Sequence, residues 1–372
     1  MHFTIEREIF VKALAKVQGI VEKRSTIPIL SNVLIHAEND SIRLIATDLE
    51  VGMKTSYPAT VKKSGKITVS AKKLYEIIRE LPEGEVSFVA KENCWIELRC
   101  GKALFNIVGL SPEEFPYFPD TEEQNYFDIP ADLLKEMIEK TAYAISTDET
   151  KYNLNGIYFR GSEEGESKNL RLVATDGHRL ALFEANLDVS GIPQLQTGVI
   201  LPRKGVQELR KITEEGEGNV ELGFFDNNAV VRRDQTTIVM RLVDGDFPDY
   251  GRVIPKTRDQ EAYIDRDALL HVLKRIAILA SERSRGVKLR LAPKVLELSS
   301  SNPELGEARE DLEIDYQGPE VIIGFNARYL LDILQNIDDE TIEMVFKDQV
   351  SPTMISPQDK RHYQTVIMPM RL

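Results

Sequence analysis

Apolar and polar positions along the chain follow one pattern that occurs three times. Residues 3–10 first alternate apolar and polar side chains and then place apolar residues at helical spacing, and residues 127–134 and 262–269 repeat this order. Alternation predicts a strand, whereas a spacing of three or four residues predicts a helix. The equivalent isoleucines of the three segments are offset by 124 and 135 residues. Such a period has the size of a whole domain and is too long for a solenoid repeat.

A second strand-to-helix pattern occurs once in each of the three predicted domains. Residues 67–74, 199–206 and 323–330 each run from an extended apolar stretch into a polar or basic helix start. Each domain therefore has two strand-to-helix segments, and the chain has six predicted helices. These helices lie within residues 7–24, 71–81, 131–146, 203–212, 265–285 and 326–337.

Between the helices, short segments alternate in the manner of half-buried strands. They are residues 41–48, 86–89, 95–98, 170–176, 220–222 and 342–346. Alternation of this kind predicts antiparallel sheets with one covered face and one face in water. The predicted class is therefore α+β, with helices packed against antiparallel sheets. We place the three similar domains at residues 1–122, 123–254 and 255–372.

Composition agrees with a chain that folds into two or three domains. It has 372 residues, of which 42% are hydrophobic and 29% are charged. The start lacks the basic and apolar regions of a signal peptide, and no run of about 18 apolar residues predicts a membrane span. Cys94 and Cys100 are separated by five residues and have no second pair, so neither a zinc site nor a disulfide framework is predicted. We expect a cytoplasmic protein with two buried, reduced thiols.

The charge of the chain is unevenly distributed. The net charge is −13, but the six helix windows hold 20 Lys and Arg against 12 Asp and Glu. The rest of the chain holds 27 basic and 48 acidic residues. Basic helix faces without a base-reading motif are typical of contact with the phosphate backbone, independent of nucleotide sequence.

The first helix shows how such a basic face would be built. Its apolar side chains recur at helical spacing and should face the sheet: Ile9, Phe10, Ala13, Leu14, Val17 and Ile20. Lys12, Lys16 and Lys23 fall on the opposite face. Lysines on any single solvated helix face can serve solubility alone. The excess of basic residues across the whole set of helices favours DNA binding.

One motif is found in the second domain alone. Residues 46–48 and 174–176 are both Ala-Thr-Asp, which predicts a turn in which Asp accepts hydrogen bonds from nearby backbone. Only the second copy continues with Gly, His, Arg and Leu at residues 177–180. Asp176 and His178 could form an acid–base pair. However, the chain has no nucleophile elbow, phosphate-binding loop or metal motif, so a groove for a partner is the favoured hypothesis.

Several of these motifs together resemble a known family. Asn155 with Gly156, residues 175–180, residues 247–250 and residues 368–372 closely resemble the bacterial DNA polymerase III beta subunit family, the sliding clamps. The resemblance covers the whole chain. It implies a ring of two protomers whose domains each contain two β-α-β-β-β units. Helices would line a hole around duplex DNA, and antiparallel sheets would lie outside.

The resemblance also implies a role and a set of partners. The chain would tether the replicative polymerase to DNA, without catalysis and without a cofactor or metal. The clamp loader, repair polymerases and ligase would bind through short peptides of the type Gln-Leu-x-Leu-Phe. The implied peptide pocket consists of Leu154, Thr175, Gly177, His178, Arg179, Leu180, Pro248, Arg252, Val253, Val366, Met368, Pro369, Met370 and Arg371.

The charge pattern and the resemblance together give a set of predicted DNA contacts. These are Lys12, Lys16, Arg24, Lys73, Lys151, Tyr152, Lys204, Arg283 and Arg285. Two features depart from the family pattern, because Ser284 stands where some relatives have an aromatic residue and residues 148–149 are acidic. Two other functions remain open, namely a DNA-binding scaffold that does not encircle DNA and an enzyme centred on His178.

Overall fold

The structure, a computed structural model, describes residues 1–22, 26–121, 125–164, 167–214, 216–281, 285–358 and 362–371. Within these residues the chain forms seven α-helices and 25 strands. The predicted α+β class is confirmed. The helices are α1 (Arg7–Val17), α2 (Ala71–Glu80), α3 (Ala131–Ala142), α4 (Pro193–Thr197), α5 (Arg203–Thr213), α6 (Arg266–Ile276) and α7 (Ala327–Gln335).

The strands are distributed over the whole chain and pair antiparallel. They are β1 (His2–Glu6), β2 (Asn32–Glu38), β3 (Ser41–Thr47), β4 (Val51–Pro58), β5 (Thr60–Lys63), β6 (Gly65–Ser70), β7 (Glu85–Ala90), β8 (Trp95–Cys100), β9 (Ala103–Val108), β10 (Tyr126–Pro130), β11 (Gly156–Glu164), β12 (Ser167–Thr175), β13 (Arg179–Asn186), β14 (Val199–Pro202), β15 (Asn219–Phe225), β16 (Asn228–Arg233), β17 (Thr236–Arg241), β18 (Gln260–Asp265), β19 (Gly286–Ala292), β20 (Val295–Asn302), β21 (Gly306–Glu313), β22 (Val321–Asn326), β23 (Thr341–Phe346), β24 (Thr353–Pro357) and β25 (Tyr363–Ile367).

The chain divides into two compact units, and each contains two sheets. Residues 1–132 and 204–242 form unit 1, with a five-stranded sheet of order β5-β1-β7-β8-β9 and an eight-stranded sheet of order β10-β15-β16-β17-β4-β3-β2-β6. Residues 133–203 and 243–372 form unit 2. Its eight-stranded sheet has the order β14-β11-β12-β13-β25-β24-β23-β18, and its four-stranded sheet has the order β21-β20-β19-β22.

The three repeats pair their strands in the same register. In each repeat the isoleucine of the first strand lies opposite an apolar residue of the strand after the second helix. The three pairs are Ile5 with Val86, Ile129 with Val220 and Ile264 with Ile342. All six side chains are buried. The repeat seen in the sequence is therefore a repeat of strand pairing and of core position.

The second repeat does not form a sheet of its own. Its strands β15 to β17 continue into β4 of the first repeat, where Thr236 pairs with Thr55 and Met240 with Val51. Its strands β11 to β13 continue into β25 of the third repeat, where Leu180 pairs with Val366. At these junctions the strands are buried on both faces, unlike the half-wet strands that the alternation predicts.

The helices are shorter than most of the predicted windows. Helix α1 ends at Val17, not residue 24, although Ile20 and Val21 beyond it are also buried and so prolong the apolar pattern. Helix α4 has five residues and was not predicted, because one turn is too short to show a period. The seven helices contain 16 Lys and Arg against 9 Asp and Glu, so the basic excess persists. No helix among the described residues has the length and apolarity that a membrane crossing requires.

The two cysteines differ in exposure. Cys100 is buried, as expected, whereas Cys94 is partly exposed in the turn before β8, so the prediction of two buried thiols is wrong for Cys94. Both thiols are free. Among the described residues, no group of three or more His, Cys, Asp or Glu side chains is arranged to hold a metal ion.

Candidate functional site

The motif found only in the second repeat forms a tight turn between β12 and β13. Thr175 Oγ1 donates to the carbonyl of Arg179 at 2.6 Å and accepts from the Gly177 amide at 3.1 Å. Asp176 Oδ1 accepts from the amides of His178 and Arg179 at 2.9 and 3.0 Å. Gly177 has a φ of 89°, a conformation that glycine adopts without steric cost. The turn is therefore fixed by its own side chains.

The first repeat contains the same turn. Thr47 Oγ1 donates to the Val51 carbonyl at 3.2 Å and accepts from the Leu49 amide at 3.0 Å. Asp48 Oδ1 accepts from the amides of Glu50 and Val51 at 3.0 and 2.7 Å. Leu49 has a φ of 79° where the second repeat has glycine. The prediction that Ala-Thr-Asp is a turn device is thus correct in both copies.

An apolar cavity of about 270 Å³ opens beside the second turn. Strand β25 forms one wall, and the 3₁₀ turn Tyr250–Arg252 lies beside it. Nine of the predicted pocket residues line this cavity: Leu154, Thr175, Gly177, Arg179, Leu180, Pro248, Val253, Val366 and Met368. Residues as distant in sequence as Leu154 and Met368 therefore meet at one site.

The remaining predicted pocket residues lie outside the cavity lining. They are His178, Arg252, Pro369, Met370 and Arg371. The His178 ring stacks on Tyr329 of α7, with centroids 6.1 Å apart and planes 18° apart. Arg252 is exposed and pairs with Asp249 at 2.9 Å. Arg371 lines a separate polar groove beside the strands β19 to β21.

Three aromatic side chains pack against the core cluster that includes Leu180 and Val366, two residues of the cavity lining. Tyr158 and Phe247 stack with centroids 4.7 Å apart and planes 1° apart, and Tyr250 meets both rings edge-on. Asp249 and Tyr250 also line the cavity, although the sequence prediction did not include them. Both directly follow Pro248, which was predicted, so their position next to a predicted pocket residue was the signal in the sequence. Tyr250, which lines the cavity, is therefore supported from behind by two rigid rings.

The side chain of Arg179 is held by contacts on several sides. Its Nε donates to Asp176 Oδ2 at 3.1 Å, its Nη1 to Asp332 Oδ2 at 2.5 Å and its Nη2 to the Tyr143 carbonyl at 2.8 Å. The guanidinium carbon also lies 5.4 Å from the ring centre of Tyr143 and 4.6 Å from that of Tyr329. Neither Asp332 nor Tyr329 was predicted, because the motifs that indicated the pocket do not include residues of α7.

A second polar contact lies next to this arginine. The hydroxyls of Tyr143 and Tyr363 are 3.4 Å apart, and burial raises the pKa of both above the ordinary value of 10. Lys140 lies over the Tyr363 ring and donates to the Asn336 carbonyl at 2.7 Å and to Asp338 at 2.5 Å. These contacts join α3 to β25 and to the segment after α7 within unit 2.

The raised tyrosine pKa predicts a loss of stability in alkali. Burial keeps Tyr143 neutral in the folded state, whereas the same side chain in the unfolded chain ionises near pH 10. Its contribution to the free energy of unfolding is therefore fully present below pH 10 and falls as the pH rises from 10 towards the folded pKa. For Tyr143 we expect a loss of about 1 kcal/mol between pH 8 and pH 11 that a Tyr143→Phe variant does not show. Urea unfolding at the two pH values measures it. Tyr117→Phe is the control, because Tyr117 is 83% exposed; equal slopes for both variants would contradict the prediction.

Several of the predicted DNA-contact lysines make contacts within the protein. Lys12 is exposed on α1, but Lys16 is half-buried and its Nζ lies 3.3 Å from Thr236 Oγ1, so it does not lie on a free wet face. Lys204 Nζ donates to the Ile20 carbonyl at 2.6 Å and pairs with Asp48. Lys204 thus ties α5 of the second repeat to the first repeat.

The other predicted DNA contacts differ in their surroundings. Lys73 is exposed and pairs with Glu76 at 2.9 Å, and Lys151 donates to the Asp176 carbonyl at 3.2 Å. Tyr152 is 59% exposed. Arg285 has a φ of 49° at the start of β19. Lys23, Arg24 and Arg283 lie outside the described residues.

Comparison with known families and proteins identifies the chain. Models of the DNA polymerase III beta subunit match it with the N-terminal domain over residues 1–119, the central domain over 128–249 and the C-terminal domain over 251–371. The beta sliding clamp of Caulobacter vibrioides is 39% identical over 377 residues, and that of Escherichia coli K12 is 37% identical over 374 residues. Both comparisons cover 100% of each chain. The chain belongs to the DNA polymerase III beta subunit family.

Solved structures of beta sliding clamps agree with this membership. A Caulobacter crescentus beta sliding clamp matches with a TM-score of 0.94 and 38% identity, and covers 100% of both chains. A sliding clamp from Bartonella birtlesii, bound to griselimycin, matches with a TM-score of 0.95 at the same identity and coverage. The predicted family, its fold and the role of a non-catalytic processivity factor in DNA replication are therefore confirmed. An enzyme centred on His178 is not what this family provides.

Proposed function

We propose that this member of the family tethers DNA enzymes to duplex DNA through the apolar cavity beside the second turn. The observation that carries the proposal is the convergence of nine predicted pocket residues on one cavity of about 270 Å³. Such a volume accommodates a few apolar side chains of a short peptide. Met368, which is 36% exposed, adds a flexible side chain that can adapt to different partners. The proposed partners are the replicative polymerase, the clamp loader, repair polymerases and ligase.

The proposed contact with DNA rests on charge rather than on base recognition. The helices contain 16 Lys and Arg against 9 Asp and Glu in a chain whose net charge is −13. Phosphate contacts of this kind give affinity without sequence preference. Among the predicted contacts, exposed Lys12 and Lys73 are the better candidates. Lys204 and Lys16 would need to release protein partners before they could reach a phosphate.

The proposed ring requires two protomers to join by their free sheet edges. Strand β9 is an edge of the five-stranded sheet and exposes three apolar side chains, Leu104, Phe105 and Val108. Strand β21 is an edge of the four-stranded sheet in the third repeat. An exposed apolar edge favours pairing with another chain, and head-to-tail pairing would cover both edges. Because the proposed partner is duplex DNA, we place the protein in the cytoplasm.

Retention on circular DNA tests the proposed function. The labelled protein would be assembled on a nicked circular plasmid with a clamp loader and ATP, and free protein removed by gel filtration in moderate salt. We expect the complex to persist on the circle and to be lost within minutes after a restriction enzyme cuts the plasmid once. Equal retention on circular and linear DNA would instead support a scaffold that does not encircle DNA. A Met368→Glu variant should be retained equally once loaded, because this change lies at the partner pocket.

A further inference from the structure

The second helix of each repeat carries a carboxylate at the same position. If residues 67–74, 199–206 and 323–330 are aligned, Glu76 of α2, Glu208 of α5 and Asp332 of α7 coincide. In α5 and α7 this carboxylate lies at the junction with the preceding repeat. The turn of that preceding repeat supplies a side chain at one fixed place, three residues after its aspartate.

That fixed place holds different residues at the two junctions. Between the second and third repeats it is Arg179, which pairs with Asp332 at 2.5 Å. Between the first and second repeats it is Val51, which is fully buried and carries no charge. Glu208 is 3% exposed there, and its Oε1 takes Lys211 of its own helix at 2.6 Å. Its buried Oε2 has no hydrogen-bond partner within the described part of the chain.

The two junctions share three features and differ in one. Strand pairing, the Thr-Asp turn and the helix carboxylate occur at both. The guanidinium occurs at the junction that has the apolar cavity. An arginine whose donors meet two carboxylates and a carbonyl fixes three chain segments at once, because its planar donors hold fixed directions. The three segments here are the second turn, the end of α3 and α7.

We propose that Arg179 and Asp332 are positioning residues that hold the pocket open in its binding shape. Arg179 itself lines the cavity, and its Nε and both terminal nitrogens donate within the protein, so the same side chain also holds the turn that forms the cavity wall. Thr175, Gly177 and Leu180 of that turn line the cavity, whereas Asp332 does not. The inference rests on the proposed peptide-binding function and assigns a role that sequence similarity to a pocket motif does not give.

The test removes the charge of Asp332 without changing its shape. Binding of a fluorescein-labelled Gln-Leu-Ser-Leu-Phe peptide would be measured by anisotropy for the full-length protein and for Asp332→Asn. We expect an affinity about tenfold weaker, because one charge-assisted hydrogen bond is lost beneath the pocket. Arg179→Lys keeps the charge but cannot reach all three acceptors, so it should weaken binding to a similar extent. Wild-type affinity in Asp332→Asn would overturn the proposal, because a loss in Arg179→Lys alone is explained by the direct contact that Arg179 makes in the cavity.

Methyl NMR of ¹³C-labelled methionine distinguishes positioning from general loss of structure. In Asp332→Asn the Met368 resonance should shift without peptide, while Met53 and Met240 of unit 1 stay in place. Glu208→Gln is the matched control, because Glu208 holds the position of Asp332 in the second repeat; it should leave the Met368 resonance and the peptide affinity unchanged. If the wild-type protein itself binds no peptide, the proposed pocket function fails, and an unshifted Met368 would then overturn the positioning role.

Discussion

Replacing Phe3 with alanine is expected to lower the free energy of unfolding of unit 1 by about 3–5 kcal/mol. Phe3 is fully buried and stacks on Phe88 with centroids 4.8 Å apart. Phe10 meets both rings edge-on at 6.1 and 6.4 Å. Removing the central ring therefore costs its burial and two aromatic contacts, and it leaves a cavity that β1 and α1 cannot easily close.

The repeat itself provides the control for this substitution. Phe127 holds the position of Phe3 in the second repeat, but it is half-buried and stacks on Phe224 at 6.4 Å. Phe127→Ala should therefore cost about 1–2 kcal/mol. Urea unfolding followed by the fluorescence of Trp95, the single tryptophan, reports on unit 1 in both variants. Equal losses would show that repeat position, and not burial, sets the cost.

Replacing Met368 with glutamate is expected to weaken peptide binding about 100-fold, or by about 3 kcal/mol. Met368 lines the apolar cavity and is 36% exposed, so the carboxylate is solvated in the free protein. An apolar anchor that enters the pocket would strip water from this charge and offer it no partner. The fold should be unaffected, because the Met368 amide still donates to the His178 carbonyl at 2.8 Å.

A volume-conserving substitution isolates the effect of charge at this site. Met368→Leu keeps an apolar side chain of similar size and should change the peptide affinity by less than about threefold. Fluorescence anisotropy with the labelled peptide measures both variants, and circular dichroism checks that both are folded. If Met368→Glu binds the peptide within threefold of the wild type, the peptide does not enter the cavity that Met368 lines.

The sequence was most informative where structure is local. The Ala-Thr-Asp turns were predicted because their hydrogen bonds join residues no more than four positions apart. The buried face of α1 was predicted because its apolar residues follow the helical period: Phe10, Ala13, Leu14 and Val17. The pairing of β17 with β4 was not predicted, because no pattern within either strand specifies which distant strand it meets.

The site could be predicted in part for the same reason. The family motifs named nine residues that line the cavity, but they did not identify Asp332, whose position on α7 becomes meaningful only when α7 packs against Arg179. Lys204 was predicted as a DNA contact from its charge and from the family resemblance. Its bond to the Ile20 carbonyl and its pairing with Asp48 depend on the packing of α5 against the first repeat. Charge type is visible in a sequence, whereas the partner of a charge is not.

The division of the second repeat between two sheets affects how the chain gains and loses structure. A fragment containing only residues 128–249 would leave β17 and β13 without their outer neighbours, and so present two unpaired backbone edges. The three ranges matched by the family models therefore do not coincide with the two compact units of the structure. Partial unfolding should follow the sheets, with strands of two repeats melting together. The second repeat, which contributes strands to both eight-stranded sheets, should therefore not fold as a separate fragment.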